Sequence, residues 1–79
     1  MAKPSKAELI LAALGGAENI VEFQPCITRL RATLADPSLV DEAAIKAVGV
    51  FGMQLAGPRI QIVVGADADT IASDIEDFL

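Results

Sequence analysis

The first elements are predicted by the spacing of apolar residues. Four of them near the start of the chain recur at helical spacing: Ala7, Ile10, Leu11 and Leu14. The segment SKAE just before them has the pattern of a capping box, in which Ser5 and Glu8 satisfy each other's backbone N–H groups. Gly15 and Gly16 follow and predict the end of this helix.

Two segments with alternating polarity come next. NIVEFQP predicts a half-buried strand with Val21 and Phe23 facing inward, and Pro25 is expected to end it because proline cannot donate to a strand ladder. In TRLRATL, three apolar residues are predicted to face inward, namely Leu30, Ala32 and Leu34. Three polar ones are predicted to face outward, namely Arg29, Arg31 and Thr33. Together the segments predict a hairpin with Cys26 near its turn.

The second half of the chain repeats this type of order. After the turn segment ADPS, Asp41 can cap a short helix that extends to Val48 and ends at Gly49. VFGMQLA and RIQIVVG predict a second hairpin around Gly57 and Pro58. With Arg59 this loop could form part of a partner-facing edge, but we interpret it as a plain turn. A last helix is predicted from a cap at Asp67. Its apolar residues at helical spacing are Ile71, Ile75, Phe78 and Leu79.

These elements predict an α+β fold with the order α-β-β-α-β-β-α. Both hairpins have one apolar and one polar face, and each helix has a single apolar stripe. That pattern is typical of a four-stranded antiparallel sheet with all three helices on one face and the other face open to solvent. We expect one domain over residues 1–79, ordered from about residue 8, since 79 residues are too few for a second core.

Composition narrows the function classes. The formal net charge is −5 and the chain has no Trp or Tyr, which argues against a nucleic-acid partner, since such partners favour basic surfaces and stacking aromatics. The chain has no His and one Cys, so no zinc site is expected, and no metal or cofactor is predicted. A single Cys cannot form an internal disulfide, and no secretory signal is visible, which fits the cytoplasm.

The segment QPCITRLR carries the candidate chemistry. Arg29 and Arg31 are two residues apart in a strand, so they are expected on one face about 6.6 Å apart. Two permanent positive charges near Cys26 would favour the thiolate, which is the nucleophilic form. Thr28 adds a hydroxyl donor, and the turn can point backbone N–H groups into an anion-binding nest. These groups could hold a phosphoryl group on sulfur, but a buried, purely structural Cys26 is an equally good interpretation of the residues alone.

Two other cysteine chemistries fit this segment poorly. A cysteine phosphatase loop has five residues between its Cys and its Arg, whereas here two and four residues separate Cys26 from Arg29 and Arg31. A cysteine protease needs a His as base, and the chain has none. Phosphoryl relay needs mainly positioning and charge stabilisation.

From about Glu8 to Leu79 the chain resembles a known family. ENIVEFQPCITRLRATLAD, VDEAAIKAVG, GMQLAGPRIQIVVG and the closing helix are similar to the IIB domain of the bacterial phosphoenolpyruvate-dependent sugar phosphotransferase system, in its glucose and N-acetylglucosamine branch. The resemblance implies a phosphotransferase that accepts a phosphoryl group from a phosphohistidine on a IIA protein, holds it as phosphocysteine, and passes it to a sugar imported through the membrane permease IIC. It implies that Cys26 is the nucleophile and that Thr28, Arg29 and Arg31 are site residues.

The resemblance also sets further expectations. The family commonly has Asp-Ala before the Cys, where this chain has Gln24 and Pro25, which we expect to affect donor or sugar preference rather than the reaction. The sugar would be N-acetylglucosamine or glucose. We expect a free-standing cytoplasmic protein that docks transiently at the inner face of the cell membrane, although a piece of a fused permease would have the same sequence. The alternative function is a non-catalytic regulatory or ligand-binding module on a similar fold.

Overall fold

A computed structural model describes residues 4–79, so residues 1–3 of the predicted domain lie outside the described residues. Within that range the helices are α1 (Lys6–Ala13), α2 (Glu42–Val48) and α3 (Ala68–Glu76). The strands are β1 (Ile20–Cys26), β2 (Arg29–Leu34), β3 (Gly52–Ala56) and β4 (Arg59–Val63). The predicted element order is confirmed, with short 3₁₀ turns added at Ala17–Asn19, Pro37–Leu39 and Gly65–Asp67. No helix of the described residues is both long and apolar enough to cross a bilayer.

The four strands form one antiparallel sheet in the order β1-β2-β4-β3. The helices pack on its inner face, where alternate strand residues are buried: Leu30, Ala32, Leu34, Ile60 and Ile62. These meet the buried helical residues Ile10, Leu14, Ile45, Ile71 and Ile75 in one core. The predicted fold class is therefore confirmed, with helices on one face only.

The other face of the sheet, which we call the open face, carries three rows of side chains across the strands. Cross-strand partners in an antiparallel sheet project to the same side, so the register fixes these rows. They are Cys26, Arg29, Val63 and Gly52; then Gln24, Arg31, Gln61 and Gln54; then Glu22, Thr33, Arg59 and Ala56.

Most of the predicted helix ends are present. The Glu8 N–H donates to Ser5 Oγ at 3.2 Å, although the reverse bond of a capping box, from Ser5 N–H to the Glu8 carboxylate, is absent from the hydrogen bonds of residues 4–79. Gly15 and Gly16 have φ of +99° and +90° and end α1. The Ala44 N–H donates to Asp41 Oδ1 at 3.0 Å, which confirms the cap of α2.

The last helix differs from its prediction at both ends. Asp67 makes no side-chain cap, because the preceding 3₁₀ turn leads directly into α3 and gives Asp67 a φ of −84° and ψ of 4° rather than the extended backbone of a capping residue. The helix ends at Glu76, so Phe78 and Leu79 lie beyond it and are half exposed, at 51% and 56%. Only Ile71 and Ile75 of the predicted stripe are buried.

Strand β1 corrects a second prediction. Ile20 pairs with Leu34, but Glu22 pairs with Thr33, so one extra residue is accommodated between them as a bulge. A bulge breaks the two-residue alternation. Val21 is consequently 62% exposed rather than inward-facing, while Ile20 and Phe23 pack against the core.

Pro25 does not end β1, contrary to prediction, because the strand continues to Cys26. Pro25 is opposite Leu30, one pair before the pair that closes the hairpin. Pairs in an antiparallel ladder alternate between hydrogen-bonded and non-hydrogen-bonded types, and the pair closing a two-residue turn is of the bonded type. Proline therefore occupies a position whose N–H is not needed for pairing to β2, and β1 is an edge strand.

Asn19 is a buried polar residue that the sequence pattern did not identify. Its side chain is 4% exposed and its Nδ2 donates to the carbonyls of Leu14 at 2.8 Å and Asp36 at 2.9 Å. The Asp36 N–H donates back to Asn19 Oδ1 at 2.8 Å. These three bonds join the end of α1 to the chain that follows β2, and so help fix β2 beneath the helices.

Candidate functional site

The first hairpin places Cys26 and Arg29 directly opposite each other. Cys26 is the last residue of β1, Arg29 is the first of β2, and the two are register partners across a two-residue turn. Both therefore project to the open face. Cys26 is half-buried and is not part of the buried core, and Arg29 opposite it is exposed.

The turn between them consists of Ile27 and Thr28 and is held by backbone hydrogen bonds. The carbonyl of Thr28 accepts hydrogen bonds from the N–H groups of Val64 at 2.9 Å and Gly65 at 3.0 Å. The turn is thus fixed to the end of β4.

The backbone N–H groups of Ile27 and Thr28 have no acceptor among the hydrogen bonds of the described residues. Neither residue has a positive φ, so the backbone here does not alternate between right- and left-handed conformations. An anion-binding nest at this position would be formed by the N–H groups of the turn. Two unpaired donors that immediately follow Cys26 can bind an anion on its side chain, which supports the predicted anion-binding nest.

Arg31 is one row further from the turn and is held by a residue that the sequence interpretation missed. Its Nε donates to Gln61 Oε1 on β4 at 3.0 Å. Guanidinium has five N–H donors, so this bond leaves the four on its Nη atoms free. Gln61 therefore orients the guanidinium plane and leaves the Nη donors available to bind a phosphate. The alternation of RIQIVVG could have identified Gln61, because it places that residue on the outward face with Arg59.

The arginines of the site have no acidic partner in the described structure. The ion pair of residues 4–79 joins Lys6 and Asp67, on the helical side. Gln24, directly opposite Arg31, is neutral. Uncompensated positive charge beside a half-buried sulfur is the electrostatic setting that binds an added dianion well.

The structure thus brings together all four residues predicted for the site. Cys26 and Arg29 share one row of the open face, Arg31 is in the next row, and Thr28 is in the turn with its side chain exposed. Thr28 makes no side-chain hydrogen bond among the described residues, so its hydroxyl is free for a ligand. Two large apolar side chains flank this region: Ile27 in the turn is 90% exposed and Phe51 is 81% exposed against Gly65.

This arrangement suits one kind of chemistry. A sulfur nucleophile, two unpaired N–H donors and two guanidinium groups can hold a tetrahedral dianion on sulfur. The chain has no His, and no carboxylate is opposite Cys26 in the sheet, so general acid–base hydrolysis has no evident catalyst here. Group transfer that depends on position and charge is what the geometry favours.

Comparisons with known proteins agree on one family. The family model for the EIIB protein of the phosphotransferase system (PTS) matches residues 8–41. The N-acetylglucosamine-specific EIIB component of the PTS of Streptomyces coelicolor is 56% identical over 75 residues, which are 95% of this chain and 97% of that protein. The alpha-glucoside-specific EIICB component of Leptotrichia buccalis is 41% identical over 75 residues, which are 94% of this chain but 14% of that protein.

A solved structure supports the fold independently. One domain of the PTS IIabc component from Clostridium difficile superposes with a TM-score of 0.70, covering 96% of this chain and 84% of that one. At 21% sequence identity this likeness concerns the fold alone.

Proposed function

The chain belongs to the EIIB family of the phosphotransferase system, the sugar phosphoryl carriers, and from that premise we propose that Cys26 is the residue that carries the phosphoryl group. Thr28, Arg29 and Arg31 would bind that group while it is on the sulfur. The EIIB family works between a IIA donor protein and a IIC permease, so Cys26 would accept from the first and deliver to a sugar held by the second.

One observation carries this proposal. Cys26 closes a hairpin in which its opposite residue is Arg29 and its next two N–H groups have no acceptor within residues 4–79. A cysteine with a purely structural role would be expected among the apolar residues of the core, since free Cys is one of the most buried residue types. Cys26 instead faces the open side of the sheet, beside donors that have nothing else to bind.

The two half-reactions balance without a cofactor. In the first, Cys26 Sγ attacks the phosphorus of the donor's phosphohistidine, an S–P bond forms as the N–P bond breaks, and the proton lost by the thiol is taken up by the departing imidazole. In the second, a sugar hydroxyl oxygen attacks the phosphorus, an O–P bond forms as the S–P bond breaks, and the proton lost by the hydroxyl is taken up by the departing Cys26 sulfur. Arg29 and Arg31 stabilise the charge on the transferring group in both steps.

The sugar that fits best is N-acetylglucosamine. The relative with 56% identity is named for it and matches over 97% of its length, whereas the alpha-glucoside-specific relative is less similar. We place the protein in the cytoplasm, docking at the inner face of the membrane where its permease is. Gln24 and Pro25 would affect the preference for donor or sugar.

Intact-mass measurement after incubation with a phosphorylated IIA protein tests the assignment. We expect one added phosphoryl group, lost on Cys26→Ser and blocked when a thiol-directed reagent has labelled the native protein. No added mass, or a phosphoryl group retained by the Ser variant, would refute Cys26 as the acceptor. Absence of transfer from any IIA protein would favour the regulatory-module alternative.

The sugar is tested separately with membranes containing a matching IIC permease. Phosphorylation of N-acetylglucosamine, but not of glucose or an alpha-glucoside, is expected when the phosphorylated protein is added. Equal phosphorylation of all three sugars would overturn the sugar assignment and leave the carrier role standing.

A further inference from the structure

Charge is unevenly distributed over this molecule. The open face contains three arginines, Arg29, Arg31 and Arg59, and one glutamate, Glu22, so its formal charge is +2. The whole chain has a net charge of −5, because the remaining three lysines and ten carboxylates add −7 elsewhere. A face of opposite sign to the rest of the protein creates a field that selects and orients a charged partner.

Arg59 extends this positive face well beyond the thiol. It begins β4 and pairs with Thr33, in the third row, while Cys26 is in the first. Successive rows on one face are two residues apart, so Arg59 is about 13 Å from the row of the sulfur. That distance is too large for contact with a phosphoryl group on Cys26. Arg59 is exposed, and in the described structure no carboxylate pairs with it.

The surface around Arg59 is shaped for contact as well as charged. A shallow, open depression of about 470 Å³ lies over the second and third rows, and its polar lining includes Glu22, Gln24, Arg31, Gln54, Arg59 and Gln61. Glutamine amides both donate and accept hydrogen bonds, and in the described part of the chain the one side-chain bond among these residues joins Arg31 and Gln61. The remaining groups are free to bond a polar surface laid across the sheet.

We propose that Arg59 recognises a carboxylate on the phosphoryl-donor protein and so extends the donor's contact across the open face to its third row. The proposal rests on the proposed function, since it assumes that a IIA protein must reach Cys26. A donor lying across the open face presents its reactive group to the sulfur from the side on which Cys26 and Arg29 are accessible.

Charge also explains why this face suits the donor rather than the acceptor. Before transfer the face is at +2 and attracts an acidic surface. A phosphoryl group on Cys26 adds a charge of about −2 and brings the face close to neutral. The donor meets the unphosphorylated form and the acceptor meets the phosphorylated one. Transfer therefore weakens the attraction for the spent donor and favours its release.

The test compares two charge reversals on the same protein. Arg59→Glu reverses a charge on the open face, and Lys46→Glu reverses an exposed charge on α2, outside that face. The rate of phosphoryl transfer from a phosphorylated IIA protein to Cys26 is measured by rapid quench and intact mass. We expect Arg59→Glu to lower kcat/KM about three- to tenfold through KM, and Lys46→Glu to change it less than about twofold. Added salt should narrow this difference.

Binding of the unphosphorylated donor, followed by calorimetry, gives a second measurement that does not depend on chemistry at Cys26. Arg59→Glu should weaken that binding, and Arg59→Gln should weaken it less. Equal effects of the Arg59 and Lys46 variants, or none from Arg59→Glu, would overturn the proposal. So would unchanged donor kinetics combined with Arg59-dependent binding to phosphatidylglycerol vesicles, which would assign the face to the membrane. If the donor binds through Arg59 but Cys26 accepts no phosphate, the proposed function fails and the docking surface stands.

Discussion

The inner and outer faces of the sheet are made from alternate residues of the same four strands, and they differ in nearly every physical respect. Along β2, Leu30, Ala32 and Leu34 are buried beneath the helices, whereas Arg29 and Arg31 are exposed. The inner residues gain free energy from burial, since removing a Leu or Ile side chain from water contributes roughly 1.5–3 kcal/mol. Exposed charges contribute little to folding.

Stability and phosphoryl chemistry therefore depend on neighbouring positions in the sequence, with little overlap between the two sets. A substitution on the inner face should change the free energy of unfolding and spare transfer at temperatures where the protein is folded. A substitution on the open face should do the reverse.

Cys26→Ser should have the largest effect. Phosphoryl acceptance should be lost completely, because a serine hydroxyl is far less nucleophilic than a thiolate and has no base here to activate it. The midpoint of thermal unfolding, measured by circular dichroism, should barely move, since Cys26 is only half-buried. A large fall in that midpoint would place Cys26 in the core and break the separation.

Leu30→Ala tests the inner face at the position between the two site arginines. Leu30 is 2% exposed, and truncating a buried Leu costs about 2–5 kcal/mol of unfolding free energy. Urea titration measures that loss. Transfer to Cys26 should stay near the native rate at low temperature. A loss of transfer by the folded variant would mean that core packing sets the geometry of the site.

Arg31→Gln tests the open face at the next residue. Loss of a charge-assisted donor in the transition state costs on the order of 2.7–4 kcal/mol, so delivery of phosphate should fall about 10²- to 10³-fold. Unfolding by urea should be nearly unchanged. Arg31→Lys should restore activity only in part, because an ammonium group lacks the planar fork. Full activity of Arg31→Gln, and likewise of Arg29→Gln, would rule out both arginines as ligands of the phosphoryl group.

Gln61→Ala tests how much the orientation of Arg31, as distinct from its charge, contributes to transfer. It removes the acceptor that holds Arg31 Nε but leaves the arginine and its charge in place. Since one exposed hydrogen bond contributes about 1 kcal/mol, transfer should fall about fivefold, far less than for Arg31→Gln. In the Arg31→Gln background, Gln61→Ala should have no further effect on transfer. An additive effect there would show that Gln61 acts by another route.

Local pattern predicted the parts of the fold that depend on neighbours in sequence. The alternation of β2 and the cap at Asp41 are set within a few residues, and both were confirmed. The site residues from Cys26 to Arg31 lie within six positions, so the hairpin alone brings them together.

The parts that sequence reasoning missed depend on distant residues. The exposure of Val21 follows from a bulge in the register against β2. Asn19 is buried because its partners include Asp36, seventeen positions later. Gln61 is thirty positions from Arg31 in sequence, and the two residues meet because they are register partners on the neighbouring strands β4 and β2. Asp67 fails to cap α3 because a 3₁₀ turn precedes it, a feature that side-chain pattern does not encode.

The outer edge of β1 is where another polypeptide could add itself as a fifth strand, since an edge strand presents unpaired backbone groups. Pro25 removes one donor from that edge immediately before Cys26. Strand addition along β1 is thereby interrupted next to the reactive sulfur. Proline at this position therefore disfavours edge-to-edge aggregation at the end of β1 that carries Cys26.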